Sequence, residues 1–384
     1  MSSPSRENSS APDQREASHT ATEIAQQPRL WRQVAADPAT AGARTFLHPL
    51  LQRPDLRVVV TGAGTSSFTG QVLAPELTRQ HRRRVDAVPT TDIVSNPRGC
   101  FAEDVPTLLV SFARSGDSPE SLASTKLADR CLTEAHHLVV TCNPDGELAR
   151  HHRRAERSHL LLMPNESNDK GFAMTSSFTC MTLAALLALG HEPQPDLGER
   201  LAGIAERVLA DYDMAARELS NRGYNRIVYL GSGPLKGLAR ESGLKILELT
   251  AGELVGSGDS PLAFRHGPKA ILDSHTLVVV YLSNNPYTRA YDLDLLAELR
   301  QAQGIDNVVA VTAEHHDLPD DTATWILPAA TDLPDAAFAL PAVLCAQLIG
   351  LHASITLGRT VDNPFPSGGV NRVVQGVTVH PLCD

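Results

Sequence analysis

The sequence predicts an α/β fold made of two tandem parallel-sheet domains. Three observations carry this. Short apolar runs recur through residues 57–164 and again through 226–329, each followed by a turn signal. Helical patterns separate them, as in SPESLASTKLADRCLTEA at 118–135. The two series also open alike, RVVVTGAG at 57–64 and RIVYLGSG at 226–233: a basic residue, an apolar strand and a Gly-x-Gly turn into a helix. Runs that are apolar throughout suit a parallel sheet buried on both faces, and their alternation with helices suits α/β layering. The shared opening reads as an internal duplication.

In chain order, residues 1–27 are rich in Ser, Glu, Gln and Ala and poor in large apolar residues, and read as a disordered tail. Leu30, Trp31 and Val34 mark a short helix that docks on the body. The first domain spans 28–195, with strands expected at 57–64, 85–94, 107–113, 137–143 and 159–164. A linker helix fills 196–222. The second domain spans 223–360, with strands at 226–233, 276–283, 307–313 and 324–329. The stretch LARESGLKILELTAGE, 238–253, reads as one continuing helix. A Pro/Gly-containing ordered tail covers 361–384.

Composition narrows the function. A net charge of −10 argues against nucleic acid as the main partner, since phosphate neutralisation needs a basic face. The six cysteines form no CxxC pair, so zinc ribbons and thioredoxin-type motifs find no support, and they are too sparse for a disulfide scaffold. The N-terminus lacks the apolar segment of a secretory signal. The longest apolar stretch, near Ala336–Ala346, is soon interrupted by Gln347 and His352, short of a membrane span. A cytoplasmic protein that binds neither nucleic acid nor membrane is expected.

Two loops carry the chemistry of the first half. Gly62-Ala63-Gly64-Thr65-Ser66-Ser67 leaves a strand and opens a helix, which places backbone N–H groups and hydroxyls where an anion is attracted. Its spacing is neither GxGxxG nor a Walker motif. Arg114-Ser115-Gly116-Asp117-Ser118-Pro119 does the same after the third strand, with Arg114 as a source of charge. Both loops fall at the carboxyl ends of strands in one sheet, where open α/β folds bind ligands, so together they point to a phosphate. The Gly231–Gly237 turn of the second half imitates a nicotinamide fingerprint, but no strand is expected to end before the acidic Glu253. On the following helix, Glu241, Lys245 and Glu248 share one face among apolar neighbours. A surface ion pair is the plain reading, and the apolar flanks favour a lined pocket. His266, beside Gly267-Pro268, is an acid/base candidate.

These pieces in this order resemble the sugar isomerase (SIS) domain family in its tandem form. The match runs over residues 45–384. It is nearest to the tagatose-6-phosphate ketose/aldose isomerases, also described as galactosamine-6-phosphate isomerase/deaminases, and more distant from the isomerase half of glucosamine-6-phosphate synthase. The resemblance implies two flavodoxin-like three-layer domains, each with a five-stranded parallel sheet. It implies phosphate and substrate binding by Thr65, Ser66, Ser67, Arg114, Ser115, Ser118 and Gln375. It assigns Glu248 as general base, with Lys245 and Glu241 in its cluster, and His266 to ring opening from a neighbouring subunit, hence a homodimer. Ala113 and Arg114 stand where the synthase pattern has Ser and Gln, and Gln375 where it has Lys, so a Schiff base from that position is not expected.

The implied reaction is C2-proton abstraction from a hexosamine 6-phosphate, galactosamine or glucosamine, giving a ketose 6-phosphate and ammonia with no metal or cofactor. Two alternatives stand beside it: a lyase that eliminates the C3 hydroxyl of an N-acetylhexosamine 6-phosphate, and a non-catalytic phosphosugar sensor.

Overall fold

The computed structural model describes residues 18–192, 194–374 and 376–383. Three helices lead in: α1 (His19–Ala25), α2 (Gln27–Ala36) and α3 (Pro38–Leu51). The first half then runs β1 (Arg57–Thr61), α4 (Thr65–His81), β2 (Val85–Ala87), α5 (Thr90–Ser95), α6 (Pro97–Cys100), β3 (Thr107–Ala113), α7 (Pro119–Cys131), β4 (Ala135–Thr141), α8 (Glu147–His152), β5 (Ser158–Leu162) and α9 (Ser176–Leu189). After α10 (Leu197–Ser220) the second half runs β6 (Arg226–Gly231), α11 (Pro234–Leu249), β7 (Val255–Asp259), α12 (Pro261–Phe264), β8 (Thr276–Tyr281), α13 (Pro286–Gln303), β9 (Val308–Thr312), β10 (Ala323–Ile326) and α14 (Asp335–Thr356).

Each half is a five-stranded sheet, ordered β2-β1-β3-β4-β5 and β10-β9-β8-β6-β7, and every pairing is parallel. Strand order therefore reverses between β1 and β3 in one sheet and between β6 and β8 in the other, and loops at such a point open a crevice at the strands' carboxyl ends. All seven residues of β3 and all six of β8 are buried, as expected for strands covered on both faces. One apolar core runs through both halves, from Val58 and Leu108 to Tyr229 and Val279. Smaller cores lie on the outer faces, around Leu109 in the first half and Val280 in the second.

The halves meet through helices. The α11 helix packs on α4, and α10 and α11 both pack on α14. At Gly237 a side chain would bring its Cβ to 2.7 Å from the backbone nitrogen of Val72, so α11 and α4 touch backbone to backbone. Trp31 of α2 is buried and donates its indole N–H to Thr179 Oγ1 at 3.0 Å. Gln27 completes a buried chain by accepting from Thr179 at 2.7 Å and donating to Gln347 of α14 at 2.7 Å.

Four expectations need correction. The strand expected at 85–94 stops at Ala87, and Thr90–Ser95 form α5. Residues 18–27 are not part of a tail: Ser18 caps α1 by accepting from the Ala21 N–H, and Thr20, Glu23 and Ile24 are buried. Residues 1–17 lie outside the described residues. The helix at 238–253 ends at Leu249, and β7 follows. This strand, VGSGD, has little apolar signal because it packs directly on α11. A Cβ at Gly256 would sit 2.1 Å from the Gly243 carbonyl oxygen, and one at Gly258 at 2.1 Å from that of Ala239. Finally, α14 continues through Gln347 and His352 for 22 residues, and is by length and composition apolar enough to cross a membrane. It lies buried inside the protein instead, with His352 Nε2 3.0 Å from Asp213 Oδ1.

Candidate active site

The switch point of the first sheet is built by two hydroxyl loops. Gly64 adopts φ 55°, a conformation costly for any residue with a Cβ, and this turn starts α4 at Thr65. Thr65, Ser66 and Ser67 are all buried at that helix N-terminus. Among the described residues, the Ser66 and Ser67 hydroxyls have no hydrogen-bond partner. In the second loop Ser115 Oγ accepts from the Asp117 N–H at 3.3 Å, and Ser118 and Ser121 exchange a hydroxyl bond of 2.6 Å.

The equivalent loops of the second half spend their donors on their own carboxylates. Asp292 accepts from Ser232 Oγ at 2.5 Å and from the Ser283 N–H at 3.0 Å. Asp335 accepts from Ser283 Oγ at 2.5 Å and the Asn284 N–H at 2.8 Å. Burial pushes Asp292 up to about 6, against those hydrogen bonds. Donors that remain open in the first half are thus taken in the second.

The α11 helix brings Glu241, Lys245 and Glu248 to the first loop. Lys245 Nζ donates to Thr65 Oγ1 at 3.0 Å and to Glu248, and lies 3.4 Å from Glu241 Oε1. Lys245 and Glu241 are fully buried, whereas the Glu248 side chain is 22% exposed, so only the last reaches open space. Burial pushes Glu241 up to about 8; the nearby Lys245 opposes this and Glu248 reinforces it. Neither Glu241 oxygen has a well-formed hydrogen bond among the described residues. For Lys245, burial pulls the pKa down, but the two glutamates outweigh it and the net direction is up. At neutral pH the cluster therefore holds an ammonium and a neutral Glu241 behind Glu248.

Arg114 is the second cation. It is buried, close enough to Glu248 to be stabilised by it, and its pKa is lowered by burial and then by Arg372. It donates to the Phe172 carbonyl at 3.3 Å and the Arg372 carbonyl at 2.8 Å. Arg372 in turn donates to the Asp169 carbonyl, which ties the C-terminal segment to the first half. The Asp169 carboxylate, fully buried, accepts the N–H groups of Thr175, Ser176 and Ser177 at 2.9–3.0 Å and so caps α9. Glu23 of α1 accepts from the Lys170 and Gly171 N–H groups. Burial, and next the charge of Asp169, push Glu23 up to about 7.

The structure thus joins Thr65, Glu241, Lys245 and Glu248 directly and sets Arg114 beside them. It does not join His266, which is exposed and makes no side-chain contact with the cluster among the described residues. Gln375 lies outside the described residues. Sequence reading missed Asp169, whose charge favours the Arg114 cation and whose carbonyl holds Arg372, and Glu23, which holds the Lys170–Gly171 backbone. The only signal for Asp169 was its place six residues before the Thr175-Ser176-Ser177 helix start. Among the described residues no group of three or more His, Cys, Asp or Glu is placed to hold a metal ion.

Fold and cluster together define a two-domain α/β protein with hydroxyl loops and a buried acid–base group at the seam of its halves. The chain belongs to the SIS domain family, whose model matches residues 50–190. It is 61% identical to a putative D-galactosamine-6-phosphate deaminase, AgaS, of Streptomyces coelicolor, over 96% of this chain and 97% of that protein. It is 45% identical to the D-galactosamine-6-phosphate deaminase AgaS of Escherichia coli, over 94% and 95% of the two chains. The crystal structure of tagatose-6-phosphate ketose/aldose isomerase from Escherichia coli superposes with a TM-score of 0.88 at 40% identity, covering 97% of this chain and 99% of that one.

Proposed function

We propose that the chain is an aminosugar-phosphate isomerase/deaminase that converts galactosamine 6-phosphate to the ketose 6-phosphate and ammonia. The names of its relatives support the substrate. The observation that carries the chemistry is the Lys245–Glu248 pair seated on Thr65. It puts a solvent-reaching carboxylate next to an anion-attracting helix start.

In this reading the hydroxyls of Ser66 and Ser67, with Ser115 and Ser118, hold the 6-phosphate, and Arg114 supplies charge. That anchor lays the open-chain sugar along the seam. Glu248 takes the C2 proton. The electron pair forms a C1=C2 double bond and the C1 carbonyl oxygen becomes a hydroxyl. Return of that proton from Glu248 to C1, with loss of one N–H proton to water to match the one taken up from water at the C1 oxygen, leaves a C2 imine, and water replaces the nitrogen, releasing ammonia and the ketose. Lys245, buried behind Glu248, acts through it and through Thr65, and neutral Glu241 keeps the cluster from carrying a second negative charge.

His266 fits the reaction as a ring-opening group supplied by a second copy, because it is exposed and joined to nothing at this chain's own cluster. A homodimer follows from that. Six unpaired cysteines suit a reducing compartment and support a cytoplasmic location.

The test is a matched panel of galactosamine 6-phosphate, glucosamine 6-phosphate and their N-acetyl forms, with ammonia and ultraviolet absorbance followed together. Ammonia from galactosamine 6-phosphate is expected. An absorbing unsaturated product from an N-acetyl form, without ammonia, would replace the deaminase by a lyase. A mixture of Glu248→Gln and His266→Ala chains should regain part of the activity each lacks alone. Its failure to do so would remove the shared site.

A further inference from the structure

A cavity of about 720 Å³ opens at the other end of α4, between α3, the last turn of α4 and the end of α9. The α4 helix has 17 residues, so this cavity lies roughly 25 Å along the helix from Thr65. It is at the amino-terminal edge of the first sheet, away from the hydroxyl loops. Its basic and imidazole side chains are Arg44, His48, His81, Arg82, Arg83 and His191, and among the described residues no carboxylate lines it. Its fixed cations are the three arginines, since burial lowers the His81 pKa and favours the neutral ring; in a chain with ten more acidic than basic side chains, three cations on one wall focus potential locally.

Part of this wall has a structural task. Arg44 donates to the carbonyls of Leu187 and Gly190 at 2.8 Å, and His81 Nε2 lies 2.7 Å from that of Leu189, so both close the end of α9. His191 Nδ1 lies 3.0 Å from Glu192 Oε1, and the remaining three are less committed. Among the described residues, Arg82 and His48 have no side-chain partner, and Arg83 makes one long bond, 3.3 Å, to the Leu56 carbonyl while its buried Nε has none. Arg82 is also the position after α4, at φ 50° and ψ 36°. That left-handed conformation is where helices most often place glycine, because a Cβ strains it. An arginine kept there against local preference points to use of its side chain.

We propose that this cavity is a second anion site, separate from the acid–base cluster, which takes a small molecule bearing two or more phosphate groups. The volume is that of a small-ligand pocket. Adjacent guanidinium forks at Arg82 and Arg83 match phosphate oxygens in pairs, and the short apolar wall of Leu47 and Leu51 leaves room for a carbon skeleton.

The test is calorimetric titration of the full-length protein with inorganic pyrophosphate, with sorbitol 6-phosphate present in excess to occupy the hydroxyl loops. One pyrophosphate per chain is expected, weakening with added salt. Affinity should fall roughly tenfold or more in Arg82→Gly and in the Arg82→Ala/Arg83→Ala double variant. Arg82→Gly relieves the left-handed strain, so its melting temperature should rise while pyrophosphate binding falls, and turnover of the aminosugar phosphate should not change. If pyrophosphate binds only where sorbitol 6-phosphate displaces it, or binds both variants as well as the parent, the site does not exist. Should sorbitol 6-phosphate itself fail to bind, the reading of the hydroxyl loops fails instead, and the two arginine variants still decide this cavity.

Discussion

Replacing Glu241 by Gln should stabilise the protein at neutral pH and, since the role proposed for Glu241 is that of a neutral group, leave turnover near the parent's. Glu241 is fully buried and its pKa is pushed from the ordinary 4.5 to about 8. At pH 7 the folded chain therefore holds it neutral, while the unfolded chain ionises it and gives up a proton. A raised folded-state pKa contributes stability that is complete below about 4.5 and is lost as pH rises toward 8. Each pH unit in that window removes about 1.4 kcal/mol, so by pH 7 the loss reaches roughly 3 kcal/mol. The attraction of Lys245, 3.4 Å away, favours the ionised form and is already contained in that raised value, with burial outweighing it. Gln has the same shape and does not titrate. The stability gap between Glu241→Gln and the parent should be small at pH 5 and widen by about 2 kcal/mol by pH 7. Urea midpoints at pH 5, 7 and 8 measure it, with enzyme turnover assayed in parallel. A gap that stays constant or narrows as pH rises would refute a neutral, buried Glu241.

Lys245→Met leaves Glu241 and Glu248 without their shared cation, and kcat should fall by about 100-fold or more while the chain still binds a sugar phosphate. Equal loss of binding and turnover would count against a role behind the base. Gly256→Ala drives a methyl into the Gly243 carbonyl oxygen and should destabilise the protein by about 1–3 kcal/mol, read from the urea midpoint. An unchanged midpoint would mean that β7 and α11 can separate. Glu23, raised to about 7, loses its stabilising contribution as pH rises from about 4.5 through 7. Glu23→Gln should flatten the fall in melting temperature over that window, and an unaltered slope would show that Glu23 titrates normally.

Much of the architecture was legible because a strand buried on both faces has to be apolar throughout. TLLVSFA and TLVVVY declared β3 and β8 without help from the rest of the chain. The same logic hid β7. Its Gly256 and Gly258 lie so near the α11 backbone that a Cβ on either would fall 2.1 Å from a carbonyl oxygen, so the sequence there carries glycine where a reader looks for valine. The α1 helix was hidden for another reason. It has only seven residues, and it is held by polar contacts to distant partners, Asp362 on His19 and Thr20 and Glu23 on the Lys170 loop. No local pattern announces a contact across 343 positions. In the site, spacing on one helix was enough to group Glu241, Lys245 and Glu248. It could not tell that burial seals two of them and leaves Glu248 alone with access, since that depends on Thr65 arriving from the other half.

The contact of α11 with α4 at Gly237 makes the site a gauge of length. At that point backbone meets backbone between the helix that begins at the hydroxyl loop and the helix that carries Glu248. Side chains can re-pack to absorb a shift, whereas two backbones already in contact cannot move closer. In the proposed reading, the separation of phosphate and base is thus a fixed interval, cut to the run from C6 to C2 of a hexose. A pentose 5-phosphate anchored by the same loop would present C1, not C2, near that interval's end. Selection of substrate by carbon number would then belong to the joint between the halves, and selection of the epimer to the side chains that line the space between.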